Sequence, residues 1–346
     1  MSVLQVPNQK TLLVGGFDGH GTTSTLSVAR AQRIPLSDIV IKYPDTSAEL
    51  APKLLYSMNL YQTNIFMFDL PINIKNPNEW FSLMQIIASN NSVTIFDHHE
   101  SNMRYLSRIP QGIKLLQFSD AATMTSAIEE TFNAQTEHEL LLLGVITDRD
   151  PAIRSLIDVE SKVFQHYYTA ANVLDVLIRQ DLAGTIKGIY EEGFNYIQRM
   201  ATTVQYPPAN LANMVPVQRY DNILFADATN VSLGQWTWKT LDELLRRSSC
   251  DYLVAIARVL DRQLNAEVPV IFVVKYWLSQ SPAPKPLVQG VIQNRKTIGH
   301  DNGFSVSCTG AEDCRQLAEN IINTLRSNFS SSVSLIPSQR VASAIQ

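Results

Sequence analysis

The sequence is poor in sulfur and in charge, and it has no long apolar run. Its three cysteines, Cys250, Cys308 and Cys314, are an odd number without the paired spacing of zinc ligands. Neither a disulfide framework nor a structural zinc site is expected, and all three read as small buried side chains or inert thiols. No stretch approaches the roughly 18 uninterrupted apolar residues of a bilayer span, so no membrane partner is expected. The first residues lack the charged-then-apolar layout of a secretion signal, which makes the cytoplasm the expected compartment. Charged residues are 17% of the chain and the formal net charge is −4, which argues against a protein that coats long nucleic acid through bulk charge. A small anionic substrate held by a local cationic or metal site is compatible with that balance. Internal repeats, low-complexity tracts and heptads are absent as well.

What the chain does have is length and alternation. Its 346 residues exceed one ordinary core and predict two domains. Strand-like runs at 11–17, 38–42, 64–68, 92–96 and 113–118 alternate with helix-like segments at 22–32, 47–55 and 77–88. That alternation predicts βαβ units and an α/β domain with a mainly parallel sheet. From 120 to about 200 the periodicity is helical, with 137–147 the most apolar helix, so the sheet domain over 1–205 carries a helical tail. The stretch Tyr206-Pro-Pro-Ala-Asn-Leu-Ala-Asn-Met-Val-Pro216 breaks the pattern with three prolines and predicts a linker over 206–219. Beyond it, strand-like runs at 223–226, 252–259, 268–276, 287–293 and 304–308, with helices near 234–247 and 311–327, predict a smaller mixed-sheet α/β domain over 220–346.

Acidic residues and histidines gather where these elements end. Asp97-His98-His99 closes the apolar run 92–96. Phe17-Asp18-Gly19-His20-Gly21-Thr22 joins the first strand to a helix, Asp69 follows the run 64–68, and Asp148-Arg149-Asp150 follows the apolar helix. Strands of an open α/β sheet deliver functional residues at their carboxyl ends, and Asp with His are ligands for divalent transition metals. Each alone is more commonly a helix cap or turn aspartate. Their recurrence at four successive element ends is harder to explain that way.

In these four motifs, in order over residues 11–150, the chain resembles the DHH phosphoesterase superfamily. Its members include RecJ-type exonucleases, nanoRNase/pAp phosphatases, cyclic-dinucleotide phosphodiesterases and family II inorganic pyrophosphatases. The resemblance implies a metal site drawn from Asp18, His20, Asp69, Asp97, His98 and Asp148, with His99 beside the scissile phosphate. The catalytic candidates are His99 and Asp18 and, from its position directly after Asp148, Arg149. Arg149 is a candidate to place positive charge against a phosphoryl oxygen, and an ordinary surface arginine is the alternative. Gln293-Asn-Arg295-Lys-Thr-Ile-Gly299-His300-Asp-Asn-Gly303-Phe304 is similar to the Gly-rich, His-containing loop of the DHH-associated C-terminal domain. It implies substrate-phosphate binding by Arg295, Gly299, His300 and Gly303. One expected glycine of that loop is Ile298, and the usual spacer before it is shortened.

The first motif departs from the family pattern at two positions. The histidine four residues before the first Asp falls on Val14, which ligates nothing, and the second Asp of Asp-x-Asp is His20. One of two family ions then keeps only Asp18 and Asp69. The other keeps His20, Asp69, His98 and Asp148, a set suited to Mn²⁺ or another divalent ion such as Co²⁺ or Mg²⁺. Three outcomes stay open: one tight ion suffices, a second binds weakly and is completed by substrate, or the site is inactive.

The expected function is metal-dependent hydrolysis of phosphate esters in short single-stranded oligonucleotides or nucleotides. The competing expectation is a noncatalytic scaffold of the same fold that binds nucleic acid or a protein partner. A domain of this kind can also form a homodimer through its helices. Outside the motifs, His138 and His166 read as structural residues. Trp236 and Trp238 read as packing rather than a base-stacking platform, and Asn102 and Arg104 as rim residues of the triplet loop.

Overall fold

The computed structural model describes residues 10–73, 75–204, 208–261 and 266–333. They divide into two compact units with the boundary after Val204.

The first unit is built as the alternation predicts. Its elements are β1 (Lys10–Gly15), α1 (Gly19–Gln32), β2 (Ile39–Val40), α2 (Ala51–Ser57), β3 (Thr63–Phe68), α3 (Pro77–Ala88), β4 (Ser92–Asp97), β5 (Ile113–Gln117), α4 (Ala121–Phe132), α5 (His138–Thr147), α6 (Lys162–Gln180), α7 (Leu182–Glu192) and α8 (Phe194–Ala201). The five strands are all parallel in the order β2-β1-β3-β4-β5. Both sheet faces are covered, and successive residues of a strand point to opposite faces. Leu12, Val14, Ile65, Met67, Val93 and Ile95 therefore pack with Leu55, Trp80 and Met84 on one side. Leu13, Phe66, Phe68 and Phe96 meet Val28, Met124, Ile128, Phe132 and Leu141 on the other. Burial on both faces is why these strands read as continuous apolar runs rather than as alternation.

In this strand order the chain reverses its winding between β1 and β3. A crevice opens there at the carboxyl ends of the strands, where ligands of open α/β sheets bind. The Asp18 and Asp69 motifs follow those two strands.

Helix α1 is enclosed on all sides, with every residue from Gly19 to Ala29 buried. Its hydroxyls turn back on its own backbone, Thr23 Oγ1 donating to the Gly19 carbonyl at 2.9 Å and Thr25 Oγ1 to the Gly21 carbonyl at 2.7 Å. Glycine makes the enclosure possible: a Cβ on Gly19 would strike Thr147, and one on Gly144 would strike Thr23.

The second unit holds α9 (Pro208–Met214), β6 (Val217–Tyr220), β7 (Ile223–Asp227), α10 (Thr237–Ser248), β8 (Tyr252–Asp261), β9 (Ala266–Lys275), the short turns α11 (Pro284–Leu287) and α12 (Gln289–Ile292), β10 (Thr297–His300), β11 (Gly303–Ser307) and α13 (Ala311–Val333). Its six strands run β10-β11-β9-β8-β7-β6, with β7 and β8 parallel and the other neighbours antiparallel. This is the mixed sheet anticipated.

Four expectations need correction. Residues 206–219 hold α9 and β6 rather than a bare linker: Pro208 opens the helix, where a missing N–H costs nothing, and Ala212 and Val215 are buried in the second core. Residues 287–293 form helical turns, because Pro284 and Pro286 favour a helix start over a strand. The Gly-rich stretch is a hairpin, with Gly299 paired to Phe304 and His300 to Gly303. Cys308 and Cys314 are not free thiols but a disulfide: the chain turns from β11 into α13 and brings their Cα atoms to 5.4 Å. Cys250 is free and buried, as expected.

Candidate metal centre

Four element ends of the first unit converge on one cluster. Asp69 follows β3 in a left-handed conformation, φ 56°, which Asp adopts more readily than most residues. Its Oδ2 lies 3.6 Å from His20 Nδ1 in the first turn of α1, and its Oδ1 lies 3.2 Å from His98 Nε2 beyond β4. Asp148, the cap of α5, brings Oδ2 to 3.2 Å from the same His98 nitrogen. His20, Asp69 and His98 can each offer a ligand atom within 4.8 Å of the others, as can Asp69, Asp97 and His99. Both ring nitrogens of His20 are buried without an aligned hydrogen bond, and Asp69 Oδ1 and His98 Nε2, although 3.2 Å apart, are not oriented to form one. Unsatisfied buried polar atoms are costly and rare. Their concentration on one small volume, with two imidazoles and two carboxylates, fits a first-row divalent ion.

Asp18 is shared between two jobs. Its Oδ1 accepts from the Gly21 N–H at 2.8 Å and caps α1, the ordinary use of an aspartate there. The side chain is still reached by water, at the floor of a recess surrounded by protein. Desolvation there, then the neighbouring Asp69 charge, raises its pKa.

Electrostatics inside the cluster follow from crowding. Burial favours the neutral form of His20, but the neighbouring Asp69 carboxylate outweighs it and raises its pKa. Desolvation and the Asp69 charge raise that of Asp148. Asp69 itself moves the other way: burial opposes its ionisation, and the surrounding imidazoles hold it well below the usual carboxylate range. The metal-free cluster gathers protons because too many carboxylates share one pocket, and a divalent cation relieves the same excess.

Asp97, which stands in the second candidate ligand group, also has a positioning role. Its Oδ1 accepts from the His99 backbone N–H at 2.7 Å, meets His99 Nδ1 at 3.0 Å and accepts from Asn102 Nδ2 at 3.0 Å. It therefore fixes the triplet loop and orients His99, while its Oδ2 stays buried without a partner. Desolvation works against protonation of His99, but the Asp97 hydrogen bond and charge push its pKa up to about 9. Asn102, expected at the rim, is fully buried and its Oδ1 also accepts from the Ile72 N–H at 2.9 Å. Gln117, which pairs with Asp97 across β4 and β5, accepts from Asn102 and donates to the His99 carbonyl at 3.2 Å. Sequence reasoning missed Gln117, although a polar residue closing the fifth strand was a signal of the same kind as Asp97. Asp120 caps α4, accepting from the Thr123 N–H at 2.7 Å. Arg104 is exposed.

The remaining candidates are otherwise engaged. The Arg149 guanidinium donates to the Ile146 carbonyl at 2.8 Å and Asn172 Oδ1 at 2.9 Å and sits over Tyr168, tying the end of α5 to α6. Arg295 forms a two-pronged pair with Asp313 at 2.5 and 2.7 Å, so the fork expected for phosphate is occupied by a carboxylate. A Cβ on Gly303 would come no closer than 3.9 Å to Val274, so that position needs no glycine for room. The side chain of His300 and the surroundings of Gly299 lie outside the described residues. His138 pairs with Glu129, and His166 with Gln198 at 3.0 Å. Trp238 packs edge-on against Phe272 with ring centres 4.8 Å apart.

No family model matches the chain, and no curated protein does. Among solved structures it is similar to CDC45 from Entamoeba histolytica, at 10% identity and a TM-score of 0.45, over 92% of this chain and 95% of that one. It is also similar to RecJ from Thermus thermophilus in complex with Mn²⁺, at 14% identity and a TM-score of 0.46, over 92% of this chain and 52% of RecJ. The chain thus spans about half the length of that RecJ. No helix among the described residues is long and apolar enough to cross a membrane.

Proposed function

We propose that the chain is a metal-dependent phosphoesterase acting on short oligonucleotides or nucleotides. The observation that carries this reading is the set of partnerless buried atoms on His20, Asp69 and His98, at the crevice where the sheet reverses its winding. His20, Asp69, His98 and Asp148 would hold one divalent ion, and their mixed nitrogen and oxygen donors favour Mn²⁺ or Co²⁺ over Mg²⁺. Such an ion, when bound, supplies Lewis acidity toward a phosphoryl oxygen and makes a better nucleophile of water. The chain's own groups do the rest. His99, held by Asp97 at Nδ1, carries a proton at neutral pH and offers Nε2 as a donor to a phosphoryl oxygen. Asp18 commits Oδ1 to the helix and leaves Oδ2 to orient the attacking water.

A specific observation favours a second reading, the noncatalytic scaffold. Val14, where the family has a ligating histidine, lies fully buried in the apolar layer with Leu12, Ile65 and Met67. In the family's two-ion arrangement the second ion would therefore keep only Asp18 and Asp69. The test is release of mononucleotides from di- to pentanucleotides with Mn²⁺, Co²⁺ or Mg²⁺, using His98→Ala as control. Turnover that requires metal and His98 supports the esterase. Absence of turnover with all three ions in a folded protein gives the scaffold.

A further inference from the structure

A cavity of about 430 Å³ opens directly beside the cluster, within the first unit. The β1–α1 turn and the segment after β2 contribute Phe17, Asp18 and Tyr43, and α6 and α7 contribute Asp175, Ile178, Arg179 and Leu182. Its size falls within the range of small-molecule sites. The metal-cluster residue Asp18 forms one end. Phe17 and Tyr43 meet edge to face with ring centres 4.8 Å apart, and Tyr43 is 68% exposed. Its ring face is therefore free to take a planar partner at the mouth of the cavity. Among the described residues Arg179 forms no ion pair, whereas Lys42 nearby is paired with Asp45 at 3.0 Å. A second, mostly apolar cavity of about 510 Å³ continues past the shared residues Tyr43 and Leu182 toward Ile41 and Ile186.

We infer that this cavity is a base subsite: it takes the nucleobase of the nucleotide next to the scissile phosphate. The inference rests on the phosphoesterase reading for its orientation. An aromatic face, an aliphatic wall and the guanidinium of Arg179, the one cation of a lining that also holds the carboxylates Asp18 and Asp175, match a base followed by a phosphate when the cluster beside them holds its ion. Tyr43 supplies the stacking face, which accepts any base. Arg179 supplies the charge for the flanking phosphate.

The experiment is fluorescence-anisotropy binding of a labelled, hydrolysis-resistant phosphorothioate pentanucleotide and of an abasic pentanucleotide, both with Mn²⁺. Tyr43→Ala should weaken binding of the base-containing strand by about 5- to 150-fold, the ratio that corresponds to stacking of ~1–3 kcal/mol. It should leave the abasic strand unaffected, while Tyr43→Trp retains affinity. Arg179→Ala should weaken both strands and reduce the salt slope by about 0.7. Equal affinity of Tyr43→Ala and the parent for the base-containing strand overturns the subsite, as does no binding at all. Tyr43-dependent binding without turnover of the ordinary strand leaves the subsite standing and removes the esterase. Turnover of the ordinary strand with a Tyr43→Ala variant of unchanged affinity does the reverse.

Discussion

The ligand cluster of the first unit and the charge clusters of the second are built in opposite ways. In the second, the charged groups that stand out are satisfied: Arg295 is clasped by Asp313, which Thr309 also bonds, and Glu243 is held by Arg246 and Arg247. The Arg295 hydrogen bonds hold the Asp313 carboxyl well below its usual range. Burial opposes ionisation of Glu243, but its two arginines hold its pKa below the usual value. In the first unit, His20, Asp69, His98 and Asp148 are pressed together with atoms left unpaired, and Asp18 and Asp148 have raised pKa values. The second arrangement stabilises a fold. The first costs stability in the free protein, a cost that a bound cation would relieve.

The comparison breaks most directly at Asp69. With Asp69→Asn, turnover of oligonucleotides should fall on the order of 1000-fold. The Mn²⁺-induced stabilisation, about 2.7 kcal/mol at a hundredfold excess over Kd, should disappear in thermal melts. A variant that keeps its metal-dependent melting shift would show that the ion sits elsewhere. Asn102→Ala comes next. It leaves the Asp97 carboxylate and the Ile72 amide short of a partner, and a roughly 10- to 100-fold loss of activity is expected for a group that orients the site without touching the ion. Retained kcat with only lower stability would assign Asn102 to folding alone.

Asp148→Asn should act in the opposite sense on the free protein. A carboxyl whose pKa is raised by folding is a penalty at pH values above that pKa, and the penalty fades as the group takes its proton. Metal-free Asp148→Asn should therefore melt above the parent at neutral pH, with the gap closing as pH falls toward the ordinary aspartate value, while turnover is lost. A lower melting point at pH 7 would mean that Asp148 is a structural partner like those of the second unit. The smallest effect belongs to Arg295→Ala, where an accessible pair is worth only ~0.2–1 kcal/mol. Denaturant unfolding should show that loss with oligonucleotide affinity unchanged. Weakened binding at unchanged stability would return Arg295 to a phosphate-binding role.

How much of this was legible in the sequence depended on whether the signal was local. The parallel strands were readable because two-sided burial writes continuous apolar runs into 64–68 and 92–96. The four motifs were readable because ligands at element ends sit beside those runs. Contacts made far along the chain left no such trace. Nothing local to Arg295 announces Asp313, and nothing near Arg149 announces Asn172, 23 residues on. The disulfide was missed because the pairing depends on the turn between β11 and α13 rather than on cysteine count. Residues 208–214 were misread because proline at a helix start looks the same in sequence as proline in a linker.

The buried helix α1 also sets an order of events for the growing chain. It is made before the elements that enclose it, and Arg30 at its end is fastened to Glu137, 107 residues later, and to the Tyr190 carbonyl, 160 residues later. Until α5 and α7 have been synthesised, a helix meant to be wholly enclosed has one side open to solvent, and the segment that carries Asp18 and His20 has no fixed seat. A nascent chain that stops short of α7 therefore offers the half-covered hydrophobic surface that chaperones bind. The first unit is complete only when its helical tail closes over residues translated more than a hundred positions before.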